Sequence, residues 1–205
     1  MGFKTLNKTY LENLAKNPLI TKSVTAGVAN GLNEVLASII SKDYSGLKGT
    51  DNKVIKMVIY GSLILTPLSH NMYAALNKVF GNKLSFKMKM LQILVSVTTI
   101  TPFISAVFTC WLALINNYNI KSLVATEDLK MELKKMLKVM KAGLLANYPR
   151  NVKSSVITNI GCLLVAQNYI QPELWVVFFT FVFFLLGTYQ NTKQKIASQK
   201  KAKDQ

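Results

Sequence analysis

Apolar residues dominate four stretches of this chain, 21–40, 54–75, 91–115 and 174–189, and the polar residues gather between them. Helical runs of about 20 apolar residues match the ~30 Å hydrocarbon core of a bilayer at 1.5 Å rise per residue. Each run therefore predicts a membrane-crossing helix. A weaker run at 154–170, interrupted by Asn159, Gln167 and Asn168, predicts a helix that packs in the bundle or re-enters from one face. Between the third run and this one, Leu129, Leu133, Met136, Leu137, Met140 and Leu144 form a stripe, with Lys130, Lys134, Lys135, Lys138 and Lys141 covering much of the rest. That pattern predicts a basic amphipathic helix at the membrane interface, its lysines toward headgroups. Thr126 is a fair N-cap for it, and Glu127 and Asp128 complement the positive end of the helix dipole. Pro149 is expected to separate it from the weaker run. The prediction is all-α: a polytopic membrane helix bundle with four transmembrane helices, one amphipathic interfacial helix and one weaker helix that is packed in the bundle or re-entrant. Residues 1–191 make one integral-membrane domain, and 192–205 read as a lysine-rich disordered tail. No internal repeat or soluble domain is evident.

Within the apolar runs the polar residues fall on stripes. Gly27, Asn30, Gly31, Glu34 and Ser38 recur at steps of three and four, so they share one helix face. Thr66, His70, Tyr73 and Asn77 do the same after Pro67, and Gln92, Ser96, Thr99, Ser105 and Thr109 do so along the third run. Such stripes line a wet path or hydrogen-bond between helices, and the pattern alone leaves both open. Asn30, Glu34, Ser38, Thr66, His70, Gln92, Ser96 and Thr99 are the candidate pore-lining or bundle-interior residues. Gly27-x-x-x-Gly31 permits close helix approach, and packing within the chain is favoured over dimerisation. Glu34 is the sharpest candidate. An acidic group inside a span costs about 2.5–3.5 kcal/mol on insertion scales, so it faces a hydrated path, a hydrogen-bonded interior or the nearby interface.

Charge narrows the function classes. The net charge is +16, but every basic residue except Arg150 is a lysine, and the lysines border the apolar runs. Arginine supplies most bidentate phosphate and base contacts, so the expected partner is a bilayer with anionic headgroups and not nucleic acid. Cys110 and Cys162 lie inside apolar runs as thiols. His70 is the only histidine and has no companion ligand at metal spacing, so a hydrogen-bonded structural role is expected, with no metal and no cofactor. No nucleophile triad, paired-carboxylate site or nucleotide fingerprint is present, so an enzyme is not expected. All the loops are basic, which leaves the orientation unread.

Several stretches resemble a known family. Tyr10-Leu11-x-x-Leu14, Pro18-Leu19-Ile20-Thr21-Lys22, Thr25-x-Gly27 and Gly31-Leu32-Asn33-Glu34 are similar to the opening of the peroxisomal membrane protein 2 family (22 kDa peroxisomal membrane proteins), as are Tyr60-Gly61 and Pro67-Leu68-Ser69-His70-x-x-Tyr73. Glu34 stands where the family commonly carries an aspartate, and Thr66 replaces a glycine. The second half departs: Ser96 falls on an aspartate position, Asn147-Tyr148 is what remains of an Asn-Trp-x-x-Trp-Pro signature, Trp175 falls on an arginine and Leu186 lies near a tryptophan position. The resemblance implies four membrane helices, a peroxisomal membrane location and a channel for small water-soluble metabolites. A related mitochondrial inner-membrane branch supplies the alternative location. A membrane-organising or scaffold protein acting as a homo-oligomer is the alternative function.

Overall fold

In a computed structural model of the chain, residues 3–44, 47, 52–81, 85–118, 129–169 and 175–203 are described. They form helices α1 (Phe3–Lys16), α2 (Pro18–Ser41), α3 (53–80), α4 (86–117), α5 (Leu129–Tyr169) and α6 (Trp175–Lys203). The residues expected to cap the amphipathic helix, 126–128, lie outside the described residues. Pro18 opens α2, where its missing N–H costs nothing. Lys42, in the left-handed region at φ 55°, closes it by returning its N–H to the carbonyls of Ser38 and Ile39. Asn52 caps α3 by accepting from the Val54 N–H at 2.9 Å.

Both α3 and α4 carry one π-helical turn, at Tyr60–Leu65 and Ser96–Ile100, each followed at once by Thr-Pro. The two threonines act alike: Thr66 and Thr101 donate their hydroxyls to the carbonyls five residues back, Gly61 at 2.7 Å and Ser96 at 3.4 Å. A proline frees a backbone carbonyl in the preceding turn, and the widened turn with its hydroxyl re-satisfies the local groups. This is a short repeated device that the apolar pattern does not reveal. Thr66→Val removes the hydroxyl with little change of shape and is expected to lower stability by about 1 kcal/mol, readable as a lower melting temperature in detergent.

Five helices traverse the bundle and close a ring in the order α2, α3, α4, α5, α6 and back to α2. α4 lies antiparallel to α3: Tyr73 meets Ser96 near one end, Tyr60 stacks on Trp111, and Lys53 reaches Asn116 at the other. α5 runs antiparallel along α4, with Glu132 against Tyr118, Asn151 against Thr109 and Asn159 against Thr101. α6 lies parallel to α2, since Asn191 meets Glu34 and Lys195 meets Ser38 one turn on. For α2 and α6 to run parallel, α5 must bring the chain back across the bundle.

That geometry corrects two expectations. The amphipathic stretch and the weaker run are one helix of 41 residues with Pro149 inside it. The proline is exposed, and the residues on either side hold both halves to α4, Tyr148 through the Pro102 carbonyl and Asn151 through Thr109. The 192–205 tail is also corrected. α6 continues to Lys203, because Asn191, Thr192, Gln194 and Lys195 are buried against neighbouring helices, and Gln, Lys and Ala favour the helix.

The bundle is built inside out. Among the described residues, buried polar side chains outnumber buried apolar ones. Outward positions instead include Val24, Val28, Leu32, Leu63, Leu94, Ile157 and Phe181, all exposed. A soluble fold reverses that distribution, whereas a bundle in lipid keeps polar groups inside and apolar groups out. By length and composition, Met90–Asn117 is the one helix among the described residues that is apolar enough to cross a bilayer. Polar residues interrupt the remaining spans, so apolar length does not establish four crossings.

Candidate functional site: the polar interior of the bundle

The densest polar contact joins α2 to α6. Glu34 and Lys195 form an ion pair at 2.6 Å with both side chains fully buried. The second Glu34 oxygen accepts from the Asn191 amide at 2.7 Å, and Ser38 donates to the first at 3.3 Å. Lys195 also donates to the Ser38 hydroxyl at 3.0 Å and lies 3.9 Å from Asp43. Asn191 reaches Asn33 as well, at 3.3 Å. A buried charge is tolerated only when paired and hydrogen-bonded, and here both requirements are met from two helices distant in sequence.

A second polar layer joins α5 to its neighbours. The Asn151 amide donates to Thr109 at 3.0 Å and the Asn159 amide to Thr101 at 3.0 Å. Gln190 of α6 donates to the Asn151 carbonyl at 3.2 Å and to Ser154 at 3.0 Å. Near the α4–α5 junction the buried Glu132 accepts from Tyr118 and from Lys135, the latter at 2.7 Å. That hydrogen bond, with the carboxylate charge behind it, holds the Lys135 ammonium above the ordinary lysine range.

Two cavities adjoin these layers. One of about 310 Å³, partly open, is lined by all five ring helices, with Asn30 and Asn33 of α2, Tyr60 of α3, Thr101 and Ser105 of α4, Ser155 and Asn159 of α5, and Gln190 of α6 in its wall. The other, of about 570 Å³, is lined by Ser69, Tyr73, Asn77, Gln92, Ser96 and Asn159 among others. They share Leu65, Tyr73, Asn159 and Phe183. Among the described residues, no charged side chain lines either one.

The predicted residues separate accordingly. Asn30, Gln92 and Ser96 line cavities. Asn30 donates to the Ala26 carbonyl at 2.8 Å, Gln92 to Asn77 at 2.8 Å and Ser96 to Tyr73 at 3.3 Å. Glu34 and Ser38 belong to the α2–α6 lock, and Thr66 serves its π-turn. His70 is half-buried and lines neither cavity. Thr99 is a correction: it is exposed and back-bonds to the Val95 carbonyl at 2.6 Å. The π-turn at Ser96–Ile100 shifts the helical register, so the inward stripe resumes at Thr101, Ser105 and Thr109. Gly27 and Gly31 face Val58 and Ser62 of α3, and a Cβ on Gly31 would sit 2.8 Å from a Val58 methyl. The small-residue face, for which packing within the chain was favoured over dimerisation, lies against α3. Lys130, Lys134, Lys135, Lys138 and Lys141 are exposed along the first half of α5.

Sequence reasoning missed Asn33, Tyr60, Asn151, Gln190, Asn191 and Lys195. A signal existed for the last two: Thr188, Asn191 and Lys195 continue a three–four spacing beyond the apolar run. Among the described residues, no group of three His, Cys, Asp or Glu side chains could hold a metal ion.

An all-helical bundle with a polar interior and an apolar exterior has the distribution of a membrane protein. The chain belongs to the Mpv17/PMP22-like family of membrane proteins. It is 36% identical over 187 residues to the Woronin body membrane protein wscA of Aspergillus fumigatus, covering 91% of this chain and 75% of that one. It is 34% identical over 198 residues to the Woronin sorting complex protein of Neurospora crassa, covering 95% of this chain and 59% of that one. A shorter match, 30% over 100 residues and about half of each chain, is to the peroxisomal membrane protein PMP22 of Arabidopsis thaliana. No family model matches the chain, and no solved structure matches it.

Proposed function

We propose that this chain is a multi-pass protein of a peroxisome-related membrane that organises that membrane, or a sorting complex assembled on it, and does not act as an ion channel. The observation that carries this reading is the fate of Glu34: the acidic residue best placed to line an ion path is fully buried and neutralised by Lys195 at 2.6 Å. The names of the fungal relatives, a Woronin body membrane protein and a sorting complex protein, support the location and the class of role. In this reading the five ring helices all cross the bilayer. Lys42, Lys53, Lys56, Lys130, Lys134, Lys138, Lys193 and Lys200 then gather at one end of the bundle, against Lys16, Lys22, Lys78 and Lys87 at the other. The richer end faces the anionic leaflet of the cytoplasmic side.

Two measurements test this. A fluorescent fusion is expected to co-localise with a peroxisomal marker, and in-cell crosslinking to trap it with protein partners; a mitochondrial pattern, or a chain that crosslinks to nothing, would refute the proposal. Cysteines placed at Lys193 and Lys87 are expected to label from opposite faces of the membrane, and labelling from one face would remove the five-crossing arrangement.

The adjoining cavities favour a second reading, a conduit for small uncharged solutes. Their walls are neutral, so Glu34→Gln should leave the ion preference of any flux unchanged. Liposome flux that loses cation preference in that variant would instead restore a charged pore.

A further inference from the structure

The two π-turns fall at one height of the bundle. With Tyr73 against Ser96 and Tyr60 stacked on Trp111, the antiparallel register places Thr66-Pro67 of α3 beside Thr101-Pro102 of α4. Proline removes a ladder hydrogen bond and a π-turn widens the helix, so each is a common site of bending. Two such joints side by side make an axis, which a single kink does not.

The joints separate two differently held parts of the molecule. On one side Glu34–Lys195, Asn151–Thr109 and Gln190–Ser154 tie α2, α4, α5 and α6 across the bundle. On the other lie two arms, 67–80 of α3 and 86–100 of α4. The arms are bonded to each other, Ser96 donating to Tyr73 at 3.3 Å and Gln92 to Asn77 at 2.8 Å. Among the described side chains, those of the arms hydrogen-bond to each other and to their own helices, and none to α2, α5 or α6. Between Pro67 and Val95 no described side chain is buried, whereas α2 buries Asn33, Glu34, Ala37 and Ser38. Segments with few buried contacts open at the low end of a protein's range of local stabilities.

The arms border the larger cavity. Ser69 and Tyr73 of one arm and Gln92 and Ile93 of the other line it, together with Leu163 of α5 and Phe179 of α6. This space of about 570 Å³ is partly open in the structure.

We propose that the two arms form a hinged lid, which swings as one piece on the paired Thr-Pro π-turns and sets access to the larger cavity. The Thr66 and Thr101 hydroxyls donate to carbonyls of the widened turns, so the joints bend without leaving those carbonyls bare in lipid. Hinges of this kind absorb the backbone change while the elements on either side stay rigid. The lid needs no solute to cross the membrane, so it holds for an organiser and for a conduit.

The test uses the full chain in lipid nanodiscs, with Cys110 and Cys162 replaced by alanine and spin labels on introduced cysteines. The distance between positions 79, on an arm, and 157, on α5, is expected to be broadly distributed. The distance between positions 28, on α2, and 157 is expected to be narrow. Pro67→Ala with Pro102→Ala returns a ladder hydrogen bond to each helix and should narrow the first distribution. The same pair of changes should slow reaction of Leu163→Cys with N-ethylmaleimide about tenfold, roughly the net value of the restored bonds. If the double variant does not fold, the two distributions in its proline-containing parent decide. A 79–157 distribution as narrow as the 28–157 one would overturn the proposal. So would a broad distribution, or a labelling rate at position 163, that the double variant leaves unchanged.

Discussion

Lys195→Met is expected to destabilise the protein by about 3–5 kcal/mol, because it leaves the Glu34 carboxylate buried without its cation. The pair need not add net stability, since removing both charges from water costs about as much as their attraction returns. Removing one partner is different: the remaining charge keeps its desolvation penalty and loses its compensation. Asn191 and Ser38 would still donate to Glu34, but two neutral hydrogen bonds do not replace an ammonium. The double variant Glu34→Gln with Lys195→Met should recover most of the loss, because glutamine still accepts from Asn191 and no charge stays buried. Thermal unfolding of the four proteins of this cycle in one detergent checks it. A double-variant loss equal to the sum of the two single losses would mean that the two side chains do not interact.

The second large effect concerns a single methyl group. A Cβ on Gly61 would lie 2.4 Å from the Ala26 carbonyl oxygen and 2.7 Å from the Asn30 amide nitrogen. The first obstacle is backbone, so α2 and α3 would have to separate, and Gly61→Ala is expected to cost about 2–3 kcal/mol. Gly161 supplies the contrast, because a Cβ there meets nothing within 4 Å. Gly161→Ala should gain up to ~1 kcal/mol from helix propensity alone. The same substitution at two helical glycines therefore moves the melting temperature in opposite directions. A common sign would show that the α2–α3 approach at Gly61 is not as close as described.

The apolar runs made the helices legible, and the spacing of Gly27, Asn30, Gly31 and Glu34 correctly gave α2 one inward face. The register of α4 was not legible, because a π-turn adds a residue per turn without any mark in the apolar pattern, and Thr99 was misassigned for that reason. The second half of α6 was misread because its residues are polar. Polarity signals solvent only when nothing polar waits opposite, and here Asn33, Glu34 and Ser38 do. Pro149 failed as a separator because contacts on both sides outweigh the one backbone hydrogen bond it removes. In each case a partner distant in sequence decided the outcome, and such partners are invisible to local pattern.

The polar interior acts as a lock that holds α6 to α2, and hydrogen–deuterium exchange on the full chain reconstituted in bilayers tests this most directly. Residues 188–197 are expected to exchange as slowly as the Asn33–Ser38 segment of α2, and Glu34→Ala should make them exchange quickly. Fast exchange of 188–197 in the wild type, or protection indifferent to residue 34, would contradict the account.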